Sequence, residues 1–217
     1  MRKSKIPHDF FINRLKASPR KCVSMPFSKE RYQELQPGKV SVIVPVFNAE
    51  KTVIRALESL RNQTYSNFEV LIVNDASSDK SAKVVQEWLR KTNDDRFHFF
   101  KNKHNTGTYA IKNWLLAQYV TGEFYTIQDA DDESHPERLE KQVAYLRKHK
   151  TVGGVGSWID IIYEENLVEK LRETMPEKDW NYLEPKLEKM PDGLWHWHTR
   201  LPEKTPATPG SKEIRYF

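Results

Sequence analysis

Three aspartates within four residues, Asp129, Asp131 and Asp132, are the side chains of this sequence best suited to chemistry. Carboxylates this close together in a loop repel one another unless a cation lies among them. Oxygen ligands favour a hard ion such as Mg²⁺ or Mn²⁺, which keeps water and phosphate oxygens in its coordination shell. The alternative is that Asp131 or Asp132 only caps the following helix. The place of this segment in the fold decides between a metal site for a phosphate-bearing substrate and a helix cap.

The elements that must position these aspartates are predicted from hydrophobic patterns. Nearly continuous apolar, β-branched runs at 40–47 and 68–73 predict strands that are buried on both faces. Shorter runs at 97–100 and 124–127 predict two more strands. Strands that alternate with helices predict an α/β fold, in which a mostly parallel sheet is flanked by helices.

Apolar residues at helical spacing predict one helix after each of these strands. The first predicted helix is capped by Asn48 and has Val53, Ile54, Leu57 and Leu60 on one face, and the second is capped within 77–79 and has Ala82, Val85, Trp88 and Leu89 inside. The third is predicted at 109–120, and the fourth begins near Pro136 with Leu139, Val143 and Leu146 on one face. Beyond Val152 the pattern weakens. It predicts a strand over 155–163, a broken helix over 180–190 interrupted by Pro185, and an extended or poorly ordered proline-rich end.

The predicted sheet brings three polar segments to one edge. In open α/β sheets, ligands bind beyond the carboxyl ends of the parallel strands. Residues 45–48 follow the first strand, Asn74 and Asp75 follow the second, and residues 129–132 follow the fourth. This shared position favours a metal site over a helix cap for the aspartates.

Four segments, in this order and at this spacing, resemble glycosyltransferase family 2. They are Val-Ser-Val-Ile-Val-Pro-Val-Phe-Asn (40–48), Val-Asn-Asp-Ala-Ser (73–77), Asn-x-Gly (105–107) and Gln-Asp-Ala-Asp-Asp (128–132), the last followed by Pro136. The resemblance covers about residues 40–163 and implies a GT-A fold. It also implies metal-dependent, inverting transfer of a sugar from a nucleotide-sugar, with a UDP-sugar expected, to a glycan or lipid-linked acceptor in polysaccharide biosynthesis. The expected cofactor is Mn²⁺ or Mg²⁺.

The resemblance also implies roles for the matching residues on the nucleotide side. Pro45, Val46 and Phe47 are expected to border the base, and Asp75 is expected to accept a hydrogen bond from it. The residue types agree with these roles, because a proline beside an aromatic ring offers an apolar wall and a carboxylate suits the N–H edge of uracil.

On the diphosphate side, the resemblance implies that Asp131 contacts the ribose and that Asp131 and Asp132 hold the metal. Relatives commonly have an arginine where this chain has Lys112. Lysine offers positive charge to a phosphate without the two-pronged geometry of arginine. A surface lysine with no role is the alternative.

No catalytic base is assigned. Relatives supply this base from a segment well past the metal motif, where the available carboxylates here are Glu164, Glu165 and Asp192. His196 and His198 have ligand-like spacing if the segment is extended, although packed aromatics in a flap or acceptor site are the preferred interpretation. The missing base leaves a second hypothesis open, a donor-binding transferase fragment or module that is catalytically incomplete. A nucleotidyltransferase is disfavoured because residues 48–51 contain no glycine.

The length of 217 residues fits one α/β domain with an appendage. The expected organisation is a basic N-terminal arm at 1–37, a GT-A nucleotide-sugar-binding core at 38–165, and a partly irregular C-terminal segment at 166–217 that is either the acceptor side or truncated.

The charge and the apolar content of the chain limit where the protein can be located and which partners it can bind. Residues 1–21 carry seven basic side chains and one acidic one, so most of the net charge of +5 lies in the arm and the rest of the chain is nearly neutral. This distribution argues against nucleic-acid binding, and it allows the arm to contact anionic lipid. No apolar run approaches the ~20 residues of a membrane span, and neither a secretory signal nor a pair of cysteines is present. We expect a cytoplasmic protein that can lie against the inner face of a membrane.

Overall fold

The computed structural model of this chain describes residues 11–12, 34–157, 160–163, 165–184, 187–189, 191 and 194–198. The chain divides into two compact units, residues 1–143 and residues 144–217.

The first unit is built on a five-stranded sheet in the order β1-β4-β3-β2-β5, and every neighbouring pair of strands is parallel. The strands are β1 (Phe11–Ile12), β2 (Gln36–Val46), β3 (Phe68–Asn74), β4 (Phe97–Asn102) and β5 (Gly122–Ile127). The prediction of a mostly parallel α/β sheet is confirmed. β1 lies within the segment predicted as the N-terminal arm.

Helices cover both faces of this sheet, because the strands are apolar on both faces. They are α1 (Val53–Arg61), α2 (Ser81–Thr92), α3 (Thr108–Gln118) and α4 (Arg138–Lys148). Successive side chains of β2 point to opposite faces, so Val42 and Val44 pack in one core cluster with Leu57 and Ile43 packs in the other with Ile111. The predicted strands and helices of this unit are therefore present.

The predicted cap of α1 is wrong. Thr52, not Asn48, is the N-cap residue of α1, and Asn48 has a left-handed backbone with φ of 51°. Asn48 therefore serves a loop instead of the helix. α4 begins at Arg138, close to Pro136, near which the sequence predicts its start. A turn closed by the bond from the Arg138 N–H to the His135 carbonyl precedes it.

A buried polar group, the amino-edge cluster, joins the amino ends of β2, β3 and β5. It consists of Lys39, Ser41, Glu69, Thr121 and Gly122. The Glu69 carboxylate is 3% exposed and accepts bonds from Lys39 Nζ at 2.9 Å, Ser41 Oγ at 2.6 Å, and the Thr121 N–H and hydroxyl at 2.9 Å each. Burial acts to raise the pKa of Glu69, but these bonds outweigh it and the pKa is lowered. The cluster therefore holds an ionised carboxylate among its own donors.

The second unit contains β6 (Asp160–Tyr163), α5 (Glu165–Thr174), α6 (Glu177–Leu183), β7 (Leu187–Lys189) and β8 (Trp195–His198). Its strands form an antiparallel sheet in the order β6-β8-β7, and Val168, Trp180 and Leu183 form a small apolar cluster. Of the described residues in the predicted strand over 155–163, Asp160–Tyr163 form β6, whereas residues 155 and 157 do not lie in a strand. The predicted helix over 180–190 ends at Leu183, and residues 187–189 pair with β8 instead. None of the helices in the described parts of the chain is long and apolar enough to cross a membrane.

Candidate functional site

A cleft of about 620 Å³ opens beyond the carboxyl ends of β2 and β5. Its lining comprises Pro45, Phe47, Asn48, Ala49, Glu50, Lys51, Thr52, Asp79, Thr108, Asp129, Ala130 and Asp131. This is the edge of the sheet at which the sequence predicts ligand binding. The cleft therefore joins an aromatic side chain, Phe47, which is 52% exposed, to two carboxylates of the 128–132 motif.

The cleft brings together three of the predicted site residues, Pro45, Phe47 and Asp131. Val46, Asp75, Lys112 and Asp132 do not contribute to its lining as the structure describes it. The Val46 side chain is fully buried in the core, so only its backbone is available to the site. Asp129 lines the cleft, although it was not among the predicted ligands.

Residues 129–132, here called the acidic loop, expose all three of their aspartate side chains. Burial, followed by the negative charges of Asp131 and Asp129, raises the pKa of the Asp132 carboxyl, and the Arg138 guanidinium acts in the opposite direction. Like charges that disfavour ionisation are what a bound cation would relieve. The donor set therefore fits a hard metal ion.

Within the described ranges, no group of three or more His, Cys, Asp or Glu side chains converges to hold a metal by itself. Hard cations such as Mg²⁺ commonly bind through one or two carboxylates together with substrate phosphates and water. The arrangement thus fits a metal that binds together with a phosphate-bearing ligand better than a dedicated protein cage.

One wall of the cleft is built by residues 48–50 and 77–81, here called the paired loops, which bond each other through side chains. The N–H groups of Asn48, Ala49 and Glu50 donate to Ser77 Oγ at 3.0 Å, Ser81 Oγ at 2.8 Å and Asp79 Oδ2 at 3.0 Å. In return, the N–H groups of Ser78 and Lys80 donate to Asn48 Oδ1 and Glu50 Oε2, each at 2.9 Å. Asp79 also accepts from the N–H of Ser81, the first residue of α2. The N-cap residue of this helix is nevertheless Lys80, so the prediction of a cap within 77–79 is wrong.

These bonds occupy the backbone donors that follow β2. A loop that cradles phosphate needs free N–H groups. Because the N–H groups of residues 48–50 are already satisfied by side chains, this wall does not have the character of a phosphate loop. The sequence predicts helix caps at Asn48 and Asp79 and does not show that their loops pair, with Asn48 bonded to Ser78 and Asp79 bonded to Glu50. Polar residues directly after two neighbouring buried strands were the available signal.

Asp75 is 3% exposed and anchors the loop that precedes α3. Its carboxylate accepts from Asn102 Nδ2 at 2.7 Å, from the Thr106 N–H at 3.0 Å and hydroxyl at 3.1 Å, and from the Gly107 N–H at 2.8 Å. Gly107 has φ of 82°, a backbone conformation that favours glycine. The Asn-x-Gly segment thus serves to bring two N–H groups onto Asp75 and to start α3 beside the cleft, at Thr108.

Lys112 lies one turn into α3, and its ammonium group is 4.5 Å from the centre of the Tyr109 ring. Tyr109 is 81% exposed. The candidate bases Glu164 and Asp192 lie outside the described residues, and the Glu165, His196 and His198 side chains are not described, although β8 does confirm that residues 195–198 are extended.

Residues 41–203 match the family described as glycosyl transferase family 2, which is more than half of the chain. The chain belongs to this family.

Two relatives and one solved structure illustrate the relationship. A putative glycosyltransferase EpsE of Bacillus subtilis is 37% identical over 127 residues, 58% of this chain and 45% of the relative. The UDP-Glc:alpha-D-GlcNAc-diphosphoundecaprenol beta-1,3-glucosyltransferase WfgD of Escherichia coli is 32% identical over 131 residues, 60% of this chain and 49% of the relative. The mannosyltransferase PcManGT of Pyrobaculum calidifontis, in complex with GDP-Man and Mn²⁺, superposes with a TM-score of 0.51 and 29% identity over 54% of this chain and 34% of its own. The GT-A fold is thereby confirmed, and the chain spans about half the length of the curated relatives it matches.

Proposed function

We propose that this chain provides the donor-binding core of a metal-dependent, inverting glycosyltransferase that moves a sugar from a nucleotide-sugar to a glycan or lipid-linked acceptor. The observation that carries the proposal is the cleft itself, which combines the exposed Phe47 ring with the carboxylates of Asp129 and Asp131. An apolar wall suits a flat base, and carboxylates suit a cation that accompanies a diphosphate.

In this proposal, the residues of the chain bind and orient the donor. Pro45 and Phe47 face the base, with Val46 contributing backbone, while Asp131 reaches the ribose. Asp75 holds the loop before α3 through the Thr106 and Gly107 N–H groups, and a base contact by Asp75 would replace one of these bonds. Lys112 would need to leave the face of Tyr109 to reach a phosphate.

The metal is proposed to be Mn²⁺ or Mg²⁺, held by Asp131 and Asp132. Such an ion, when bound, offsets the negative charge that develops on the departing nucleoside diphosphate. Its presence is supported by the mutual repulsion of the three aspartates and by the Mn²⁺ in the mannosyltransferase complex. The carboxylate that removes the proton from the acceptor hydroxyl is not assigned.

The donor class rests on the relatives. WfgD is named for UDP-Glc and a diphosphoundecaprenol-linked acceptor, which supports a UDP-sugar and a lipid-linked glycan. The mannosyltransferase holds GDP-Man, so a guanine donor is the competing choice. With a lipid-linked acceptor, sugar transfer would take place at a membrane surface. There the basic arm at 1–37 could contact anionic lipid from the cytoplasmic side.

Calorimetric titration with UDP and with GDP, in Mn²⁺ and in a chelator, tests the proposal. We expect UDP to bind more tightly than GDP, and to bind more tightly in Mn²⁺ than in the chelator. A matched assay follows release of UDP from UDP-sugars. Binding of neither nucleotide in the presence of Mn²⁺ would refute the proposed site.

The second candidate is a donor-binding module that needs a further segment or partner for transfer. It is favoured by the match to only about half of each relative. Metal-dependent UDP binding without turnover, followed by transfer once a longer chain or partner is supplied, would support it. Transfer by this chain alone would exclude it.

A further inference from the structure

We propose that Gln128 is a positioning residue that fixes the backbone of the acidic loop, so that Asp131 and Asp132 present their carboxylates to the metal and diphosphate in one geometry. This inference rests on the proposed function. It concerns a neutral, buried side chain that would touch neither the donor nor the metal.

The Gln128 side chain is 3% exposed, and both ends of its amide are used. Nε2 donates to the Asp132 carbonyl at 2.9 Å, and also lies 3.2 Å from Ser59 Oγ and 3.4 Å from the Ala56 carbonyl in α1. Oε1 accepts from the Ser134 hydroxyl and from Arg138 Nη1, the latter at 3.3 Å. One amide thus connects the acidic loop to α1 on one side and to the start of α4 on the other.

Ser59 and Arg138 extend this connection. Ser59 Oγ accepts from the Ser134 N–H at 3.0 Å, so the same α1 hydroxyl meets both Gln128 and the segment after the acidic loop. Arg138 donates to Ser134 Oγ at 2.7 Å and to Thr126 Oγ1 in β5 at 2.7 Å. The backbone at Asp132 and at Ser134 is therefore tied to the fold through polar side chains.

Two further contacts hold the acidic loop near the fold: Ala130 is buried in the core cluster with Leu57, and the Asp132 N–H donates to the Asp129 carbonyl at 3.3 Å. The remaining contact of its backbone is weaker. The Asp131 carbonyl accepts from Arg55 Nη2 at 3.3 Å, but this contact is exposed, and Arg55 also pairs with the exposed Glu133. Mutually repelling carboxylates would otherwise spread apart. A ligand-bearing loop keeps its geometry when buried groups behind it hold its backbone, and outer-shell partners of this kind commonly affect metal affinity by 10- to 100-fold.

Gln63 offers a matched comparison. It is also a buried glutamine, and its amide bonds the His135 carbonyl at 2.8 Å and the Leu139 N–H at 3.0 Å. It therefore clamps the segment that follows the acidic loop, and it has no hydrogen bond to residues 129–132 among those described. Both glutamines should therefore contribute to the stability of the fold, whereas only Gln128 should position the aspartates of the acidic loop.

The test compares Q128M with Q63M, since methionine keeps the length of the side chain and removes the amide. Three quantities are measured for each variant: the melting temperature, the UDP affinity in a chelator, and the Mn²⁺ affinity at saturating UDP from the electron paramagnetic resonance signal of free Mn²⁺. We expect Q128M to weaken Mn²⁺ binding by roughly 10- to 100-fold. Both variants should lower the melting temperature to a similar degree, but Q63M should change the Mn²⁺ affinity by no more than about twofold. The UDP affinity in the chelator should be unchanged in both variants.

Unchanged Mn²⁺ affinity in Q128M, or an equal loss in Q63M, would overturn the inference while leaving the proposed function intact. If Q128M does not fold, S59A replaces it, because this change removes the hydroxyl that Gln128 and the Ser134 N–H share; a severalfold loss of Mn²⁺ affinity is then expected, and no loss refutes the inference. Failure of the unchanged chain to bind UDP with Mn²⁺ would instead refute the proposed function, and the inference with it.

Discussion

Glu69 lies at the amino ends of the strands of the first sheet and the acidic loop lies at their carboxyl ends, and the two carry their negative charge in opposite ways. Glu69 is buried, and Lys39, Ser41 and Thr121 surround it with donors that lower its pKa. Asp129, Asp131 and Asp132 lie at the surface. Partial burial of the Asp132 carboxyl, followed by the negative charges of Asp131 and Asp129, raises its pKa. The negative charge in the amino-edge cluster is matched by protein donors, whereas the negative charges of the acidic loop are not.

This difference separates a carboxylate that stabilises the fold from carboxylates that can bind a ligand. A buried charge must be matched within the protein, or it destabilises the native state. Exposed carboxylates that lack protein donors keep their lone pairs for a metal. Substitutions in the amino-edge cluster should therefore change the stability of the protein, and substitutions in the acidic loop should change its affinity for a ligand.

The largest effect is expected for Glu69→Ala, which removes the carboxylate that accepts from the Lys39 ammonium and from the buried Ser41 hydroxyl, and leaves Lys39 only its bond to Thr121 Oγ1. Breaking a buried ion pair from one side destabilises a protein by about 4 kcal/mol. The free energy of unfolding from urea titration measures this loss. Glu87→Ala, which removes an exposed pair with Lys83, is the control and should change stability by less than about 0.5 kcal/mol. Similar values for the two variants would contradict the structural role of the amino-edge cluster.

The double change Asp131→Asn with Asp132→Asn should act on binding rather than on folding. We expect the affinity for UDP in Mn²⁺ to fall roughly 100-fold, or about 2.7 kcal/mol, because amides bind the cation weakly. The melting temperature in a chelator should not fall, since the change removes repulsion. Asp95→Asn, an exposed aspartate outside the cleft lining, is the control. A large drop in melting temperature with unchanged UDP affinity would mean that Asp131 and Asp132 stabilise the fold rather than bind a ligand.

Gly122→Ala probes the packing of the amino-edge cluster without changing a charge. A Cβ at this position would lie 2.6 Å from the Lys39 carbonyl and 2.8 Å from the Ser41 nitrogen, both of which are backbone atoms. Because backbone cannot yield as a side chain can, we expect a loss of about 2 kcal/mol in the urea measurement. Gly153→Ala, where an added Cβ meets nothing within 4 Å, should be close to neutral. Equal stability of both variants would mean that β2 and β5 can separate at little cost.

Much of the first unit could be predicted because its strands are long, apolar runs and its helices carry clear apolar faces. The second unit was harder to predict, since β7 has only three residues and its pairing with β8 depends on a distant segment rather than on local pattern. Similarly, Asn48 has the residue type of a helix cap, and only the proximity of residues 77–81 makes it a loop partner.

The sequence indicated the position of the cleft, because strand ends and polar residues are both visible in it. It could not indicate which side chains turn into the cleft. Val46 and Phe47 are adjacent, yet one is fully buried and the other is half exposed. Gln128 was visible only as part of a motif, because its role depends on contacts with Ser59 in α1 and Arg138 in α4. Ser59 lies 69 residues away from Gln128 along the chain.

The smallest effect is expected in the acid response of Glu69→Gln. The pKa of Glu69 is lower in the folded protein than its ordinary value of 4.5. Ionised Glu69 therefore stabilises the native protein fully at pH values above 4.5, and this contribution is lost as the pH falls through the lower folded-state pKa. Urea titrations of both proteins from about pH 7 to pH 3 should therefore give a stability gap that is constant near neutrality and narrows below roughly pH 4.5. A gap that persists unchanged at the acid end would mean that the cluster relies on neutral hydrogen bonds. Glu69 would then lose its contrast with the acidic loop, because neither end of the strands would hold a matched buried charge.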